Sequence, residues 1–217
     1  MLQGSNPVVL VLIIANVLFS MKGLDDYSFL EKYKFQVGRV LGKEKIRMLT
    51  SGFLHVDWMH LGFNMYALYI FGDFVATNSG TINFLIIYFG SLIAGSLYTL
   101  QYHKHEPYYS AVGASGAVSG IVYSSILVFP DMQLLLFFAI PIPGYVFGVG
   151  YLLYSIYGMK KQLGNIGHAA HLGGAIGGFI LTLILKPALF ATNTVFVIFL
   201  AIPIILVLLF GEKLKNL

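Results

Sequence analysis

The chain has no cysteine, which excludes disulfides, a thiolate nucleophile and sulfur-ligated metal sites. It is also poor in charge: 10% of its 217 residues are Asp, Glu, Lys or Arg, and nine are acidic. With 58% hydrophobic residues and a mean hydropathy of +0.82, that scarcity excludes an ordinary soluble domain. No repeat period, low-complexity tract or second, polar domain interrupts the sequence. The net charge of +4 does not make a nucleic-acid footprint. Seven of the thirteen basic residues fall between positions 21 and 59, mixed with five acids, which reads as a loop at the headgroup level of a lipid bilayer.

What is present is apolar length. Seven runs, at positions 7–20, 60–76, 81–101, 115–129, 144–158, 168–185 and 194–210, approach or exceed what about 1.5 Å of rise per residue needs to cross a hydrocarbon core about 30 Å thick. The first has no Lys or Arg before it and no small-residue cleavage pattern after it, so it is expected to be a span rather than a signal peptide. The long first loop mixes aromatic, aliphatic and basic residues, and is expected to form short amphipathic helices in the interface. The turns ATNSG, PDMQ and KKQLGN separate the later helices. The prolines of AIPIPG break an overlong run, so the fifth helix is expected to start near Gly144. The fold class expected is all-α: a polytopic transmembrane helical bundle in one domain over 1–217, with a six-helix core at about 7–186 and a seventh helix at about 194–210.

Polar side chains inside such runs are costly and mark function. Those in or at the edge of the runs are His60, Asn64 and Asp73 in the second, Ser115 and Ser119 in the fourth, and His168 and His171 in the sixth. Alternate runs cross in the same direction, so the starts of these three lie on one side at similar depth. Ser115, His171, His60 and Asn64 are therefore expected to meet. A hydroxyl becomes a nucleophile when an imidazole accepts its proton, a pairing open to Ser115 and His171. Asp73 sits near the far end of its helix, which favours a two-residue dyad over a carboxylate triad. His60 and Asn64, one helical turn apart, and the backbone N–H of Ser115 are the candidate oxyanion donors. Gly113 is read as permitting a tight turn before Ser115, and Gly116 as keeping the adjacent side open to a substrate backbone.

Packing alone explains part of the pattern. Gly116 and Gly120, Gly173 and Gly177, and Gly174 and Gly178 are small-residue pairs at the spacing that lets membrane helices approach closely. That approach would itself carry Ser115 towards His171. His168 is read as a supporting partner, Ser119 as bonding back to its own helix, and Asp73 as a helix-end carboxylate. His55, His60, His168 and His171 also admit a zinc reading, with HKHE from His103 as a second, weaker cluster. Neither has a spacing that supplies both ligands and a base, and no metal or cofactor is expected.

With these residues in place, the sequence resembles the rhomboid intramembrane serine proteases over most of its length. GASG (113–116) is similar to the family's nucleophile motif, AHLGGAIGG (170–178) to its AHxxGxxxG histidine motif, and HLGFN (60–64) to its HxxxN oxyanion element. IRMLTSGFLH (46–55), with Arg47 in place, is similar to the segment leading into that element. The resemblance implies Ser115 and His171 as the catalytic pair, a lateral and partly immersed first loop, and a six-plus-one helix arrangement. It implies peptide-bond hydrolysis through an acyl-enzyme, in or near transmembrane segments of membrane-anchored substrate proteins.

Two features depart from the family pattern. The position four residues after the nucleophile, often an aromatic that stacks on the catalytic histidine, is Ser119 here; Tyr123 or Tyr66 is the expected substitute. Every Lys and Arg except Lys186 falls on the side of the first, third and fifth loops and the C-terminus, which the positive-inside rule makes cytoplasmic. The resemblance implies an active site opening to the extracytoplasmic side, and that is the orientation expected. The competing readings are a rhomboid-like protein that binds transmembrane helices without cutting them, and a small-solute transporter. The transporter reading calls for more coupling-ion groups at mid-span than this chain has.

Overall fold

The computed structural model describes residues 5–136, 139–164 and 166–215; the two ends of the expected 1–217 domain, and Asn165 of the KKQLGN turn, lie outside them. Helix α1 (Pro7–Asp25) begins at Asn6, whose side chain accepts from the Val8 N–H at 3.0 Å, and Pro7 fills a first-turn position where its missing N–H costs nothing. The first loop folds into three short helices, α2 (Tyr27–Tyr33), α3 (Val37–Leu41) and α4 (Arg47–Thr50), then a 3-10 turn at Ser51–Phe53. The second span is one helical path in three parts: α5 (Trp58–Ala67), a π turn over Leu68–Gly72, and α6 (Asp73–Ser79). Gly80, at φ +88°, ends it. Helices α7 (Thr81–Tyr102), α8 (Ser115–Val128), α9 (Gly144–Lys161) and α10 (His168–Leu185) follow, then α11 (Leu189–Thr192) and α12 (Thr194–Lys215).

The chain is thus an all-α polytopic bundle. Among the described residues, only two small antiparallel pairs depart from helix: β1 (Phe35–Gln36) with β2 (Ser110–Ala111), and β3 (Gln133–Leu136) with β4 (Ile140–Pro143). The AIPIPG prolines therefore end in a hairpin edge, and α9 starts at Gly144 as expected. Helices α1, α7 and α10 are each long and apolar enough to cross a membrane. Helix α8 has 14 residues, a rise of only about 21 Å, so it does not span a bilayer from face to face.

The short helix is held by its two longest neighbours. Gly116 and Gly120 of α8 lie against Gly174 and Gly178 of α10: an added Cβ at Gly116, Gly174 or Gly178 would strike backbone first, and one at Gly120 would strike the Ser91 side chain of α7 and then the Gly174 carbonyl oxygen. On the other flank of α10, a Cβ at Gly173 would lie 2.8 Å from the Ala94 carbonyl oxygen of α7 and 3.0 Å from Gly95 Cα. Close approach of this kind drives helix association where lipid tails are as apolar as the side chains. A second cluster, including Tyr123, Leu152, Leu172 and Leu200, joins α8, α9, α10 and α12, with α12 against α9. At one end of the bundle Asn6 donates to Thr81 and Asp73, and Lys186 to the Asn78 carbonyl. Asp73 is thus a helix-end carboxylate there, receiving the Asn6 N–H at 2.6 Å. The first turns of α5, α8 and α10 gather at the other end.

A Cβ at Gly174 would sit 2.6 Å from the Gly116 carbonyl carbon, and backbone cannot rotate away. Gly174→Ala is expected to cost about 1–3 kcal/mol, seen as a lower thermal midpoint in detergent. Gly150, with nothing within 4 Å of its missing Cβ, is the control: Gly150→Ala should leave the midpoint unchanged or raised. Equal midpoints for the two variants would show that α8 and α10 do not touch as described.

Candidate active site

The approach to Ser115 hangs on the first loop. Phe35 pairs with Ala111 and Gln36 with Ser110; the Val37 N–H donates to the Tyr109 carbonyl at 3.1 Å, and the Gly113 N–H to the Ser51 carbonyl at 3.0 Å. The loop that supplies these partners is itself clamped by Arg47, only 3% exposed. Its guanidinium donates to Glu44 at 2.6 Å and to the carbonyls of Glu31 and Lys34 at 2.9 Å each. That pairing holds the Glu44 carboxyl below its ordinary range.

Gly113 answers to two constraints. Its φ of +133° lies where side-chain-bearing residues rarely go, and a Cβ there would fall 2.8 Å from Cε1 and 2.9 Å from Nε2 of His60. The same spot is 3.6 Å from Ser115 Oγ, so imidazole and hydroxyl lie to either side of the bare glycine. The next N–H, of Ala114, donates to Nε2 of His55 at 3.3 Å. An N–H can only donate, so the proton of a neutral His55 is on Nδ1, directed at Ser20 Oγ of α1, 2.8 Å away; Ser20 in turn donates to the Phe53 carbonyl at 3.0 Å. Burial, reinforced by the neighbouring His60, pushes the His55 imidazole down to about 3. A neutral His55 therefore braces the residue before Ser115.

Ser115 opens α8, so its own N–H has no intrahelical acceptor. Gly116 is buried, and a Cβ on it would meet the Ala170 carbonyl oxygen at 3.3 Å. Its smallness serves the α8–α10 contact, and the residue also borders a recess beside Ser115, so packing and openness coexist there. That recess is lined by Ser51, Ser96 and Thr99 together with Phe35, Leu92 and Gly116, three hydroxyls set in a mainly apolar wall. Ser115 and His171 share no direct hydrogen bond among the described residues, a looseness that catalytic pairs often show before substrate tightens them.

His171 lies in the first turn of α10, its ring stacked on Tyr151 of α9 with centroids 6.0 Å apart and planes at 16°. The expected substitutes for the aromatic missing at position 119 do not fill that role: the Tyr123 hydroxyl donates to the Gly148 carbonyl and Tyr66 sits on an exposed face. Ser119 does bond back to its helix, donating to the Ser115 carbonyl at 2.7 Å, and its Oγ is also 2.6 Å from the Tyr151 hydroxyl. His168 does not hydrogen-bond to His171. It meets that ring edge-on at 6.2 Å, and its Nε2 donates to the Leu163 carbonyl at 3.2 Å, in space left by Gly158. Asn64 is buried, with one amide hydrogen donated back to the His60 carbonyl at 2.9 Å and no acceptor for the other among the described residues.

The zinc reading loses its first ligand, because both nitrogens of His55 are committed; among the described residues no three His, Asp or Glu gather at metal-binding spacing. Sequence reasoning missed three contributors. Asp57, whose carboxylate caps α5 by accepting from the His60 N–H at 2.7 Å, was signalled by its place just before the helix. The brace through His55 and the stack on Tyr151 had no local signal, since their partners are distant along the chain.

A description of the Rhomboid domain matches residues 42–188, which contain all of these groups except Ser20, Glu31, Lys34, Phe35, Gln36 and Val37. The chain is 36% identical over 159 residues to rhomboid protein 1, mitochondrial, of Saccharomyces cerevisiae, covering 71% of this chain and 45% of that protein. It is 31% identical over 198 residues to RHOMBOID-like protein 12, mitochondrial, of Arabidopsis thaliana (80% and 57%). With rhomboid protease GluP of Bacillus subtilis it shares 33% over 135 residues (61% and 24%). The chain spans about half the length of the first two relatives.

The His55 brace has a signature in pH. The folded imidazole stays neutral down to about 3, whereas an unfolded one protonates near about 6.5. Between those values the unfolded chain binds the extra proton, so this contribution to stability is complete above about pH 6.5 and declines as pH falls towards about 3. His55→Gln keeps a donor and an acceptor without the titration. Its thermal midpoint should fall less than that of the wild type between about pH 7 and about pH 4; parallel declines would remove His55 from this role.

Proposed function

The chain belongs to the rhomboid family, and from that premise we propose that it is an intramembrane serine protease using Ser115 as nucleophile and His171 as general base. The observation that carries the reading is the meeting of three helix starts: Ser115 on α8, the turn bearing His171 on α10, and His60 with Asn64 on α5.

Ser115 Oγ attacks the carbonyl carbon of a substrate peptide bond while its proton passes to His171. The charge that develops on the carbonyl oxygen is met by the Ser115 N–H, the free amide hydrogen of Asn64 and the His60 imidazole. Collapse of the tetrahedral species expels the amine, which takes the proton back from His171, and leaves an acyl-enzyme on Ser115. A water molecule, deprotonated by the same imidazole, then releases the acid. The recess lined by Ser51, Ser96 and Thr99 offers hydroxyls to hold such water out of contact with lipid. Substrates are segments of membrane proteins that unwind at the cut site, because a peptide bond within a membrane helix is shielded and hydrogen-bonded.

The active-site end is proposed to face away from the cytoplasm. Four of the first loop's cations, Lys22, Lys34, Arg39 and Arg47, are paired with Asp26, Glu31 and Glu44 inside a folded element, and are not free flanking charge.

A fluorophosphonate probe applied to the detergent-solubilised chain should label it, and Ser115→Ala and His171→Ala should each abolish labelling while the bundle stays folded. A folded wild type that takes no label would favour a helix-binding role without cleavage. Asn64→Ala should slow labelling by roughly one to three orders of magnitude, and an unchanged rate would take Asn64 out of the oxyanion site.

A further inference from the structure

Ser119 and Tyr151 come from different helices and end on one another. The Ser119 hydroxyl has a single proton, donated to the Ser115 carbonyl at 2.7 Å. The 2.6 Å contact between Ser119 Oγ and the Tyr151 hydroxyl must then carry the tyrosine's proton. Tyr151 is thus tied at its tip to the helix that starts with Ser115, while its ring lies nearly parallel to His171, at 6.0 Å and 16°. The ring also lies nearly parallel to Phe147, one turn earlier in α9, at 5.8 Å and 15°. Phe147, Tyr151 and His171 form one column of rings.

We propose that Tyr151 is the positioning residue for His171: it sets the plane of the imidazole, and Ser119 sets the place of Tyr151. The proposal rests on the Ser115–His171 reading above. An imidazole with no carboxylate to orient it needs some other restraint on its ring torsion, and a parallel aromatic face supplies one. A serine at 119 is the size that admits the tyrosine tip from α9, and its hydroxyl takes up the phenol proton. The restraint therefore comes from a neighbouring helix and not from the nucleophile's own, and α9 becomes part of the catalytic architecture.

The test uses the full chain in detergent, with two readouts: the rate of fluorophosphonate labelling, and the upfield ring-current shift of the His171 imidazole protons in NMR. Tyr151→Leu should slow labelling roughly three- to tenfold and abolish the shift. Adding Ser119→Phe to Tyr151→Leu returns an aromatic face to the vacated space and should recover both. Tyr151→Phe guards against misfolding: it keeps the ring and loses only the tie to Ser119, so it should keep an upfield shift and label more slowly than wild type but faster than Tyr151→Leu. Wild-type labelling by Tyr151→Leu, or a loss in Tyr151→Phe as deep as in Tyr151→Leu, would overturn the proposal. So would a folded double variant in which neither readout recovers. A wild type that shows the shift but takes no label would count against Ser115–His171 catalysis and in favour of the stack itself.

Discussion

The contact on which the rest depends is backbone against backbone, α8 against α10, through Gly116, Gly120, Gly174 and Gly178. In hydrocarbon there is no hydrophobic drive to press two helices together, so their affinity comes from how closely they fit. Any side chain along that seam would part them. With it closed, the first turn of α8 and the first turn of α10 are side by side, and a hydroxyl and an imidazole far apart in sequence share one neighbourhood. Helix α7 repeats the arrangement on the other flank of α10, which leaves α10 enclosed and its histidines held at a fixed depth.

A second set of restraints comes from the polar groups that the surroundings cannot solvate. The two backbone donors directly ahead of Ser115 have named acceptors: Gly113 has Ser51, and Ala114 has His55, which leans on Ser20 in α1. The first loop, locked by Arg47, is therefore a scaffold for the approach to Ser115, although its short helices read as a surface feature. Unpaired donors in such surroundings would be costly, and satisfying them fixes the direction in which the chain enters α8.

Much of this was legible in the residues. Apolar length marked the helices, the prolines before Gly144 marked where α9 begins, and the parity of the crossings put Ser115, His171, His60 and Asn64 at one end. These features depend on local composition and on connectivity, both of which a sequence displays. Other features depend on which face a side chain presents after packing. Gly116 was read as an opening and is a helix contact as well; His168 turns to the Leu163 carbonyl and not to His171; Asn64 spends half of its amide on its own helix. The stack on Tyr151 lay furthest from view, because it joins three helices and follows no spacing along any one of them. The π turn in the second span and the β3–β4 hairpin left no recognisable pattern either.

The glycine seam and the aromatic column differ in how they can change over evolutionary time. Glycine has no rotamers to freeze, so a seam made of it loses almost no side-chain entropy on packing; it is also intolerant of substitution, because a larger residue meets backbone or, at Gly120, the Ser91 side chain of α7. The column beside it is built from side chains that can be exchanged one at a time while the seam stays as it is. The ring that faces His171 can therefore change without disturbing the frame that brings the histidine towards Ser115.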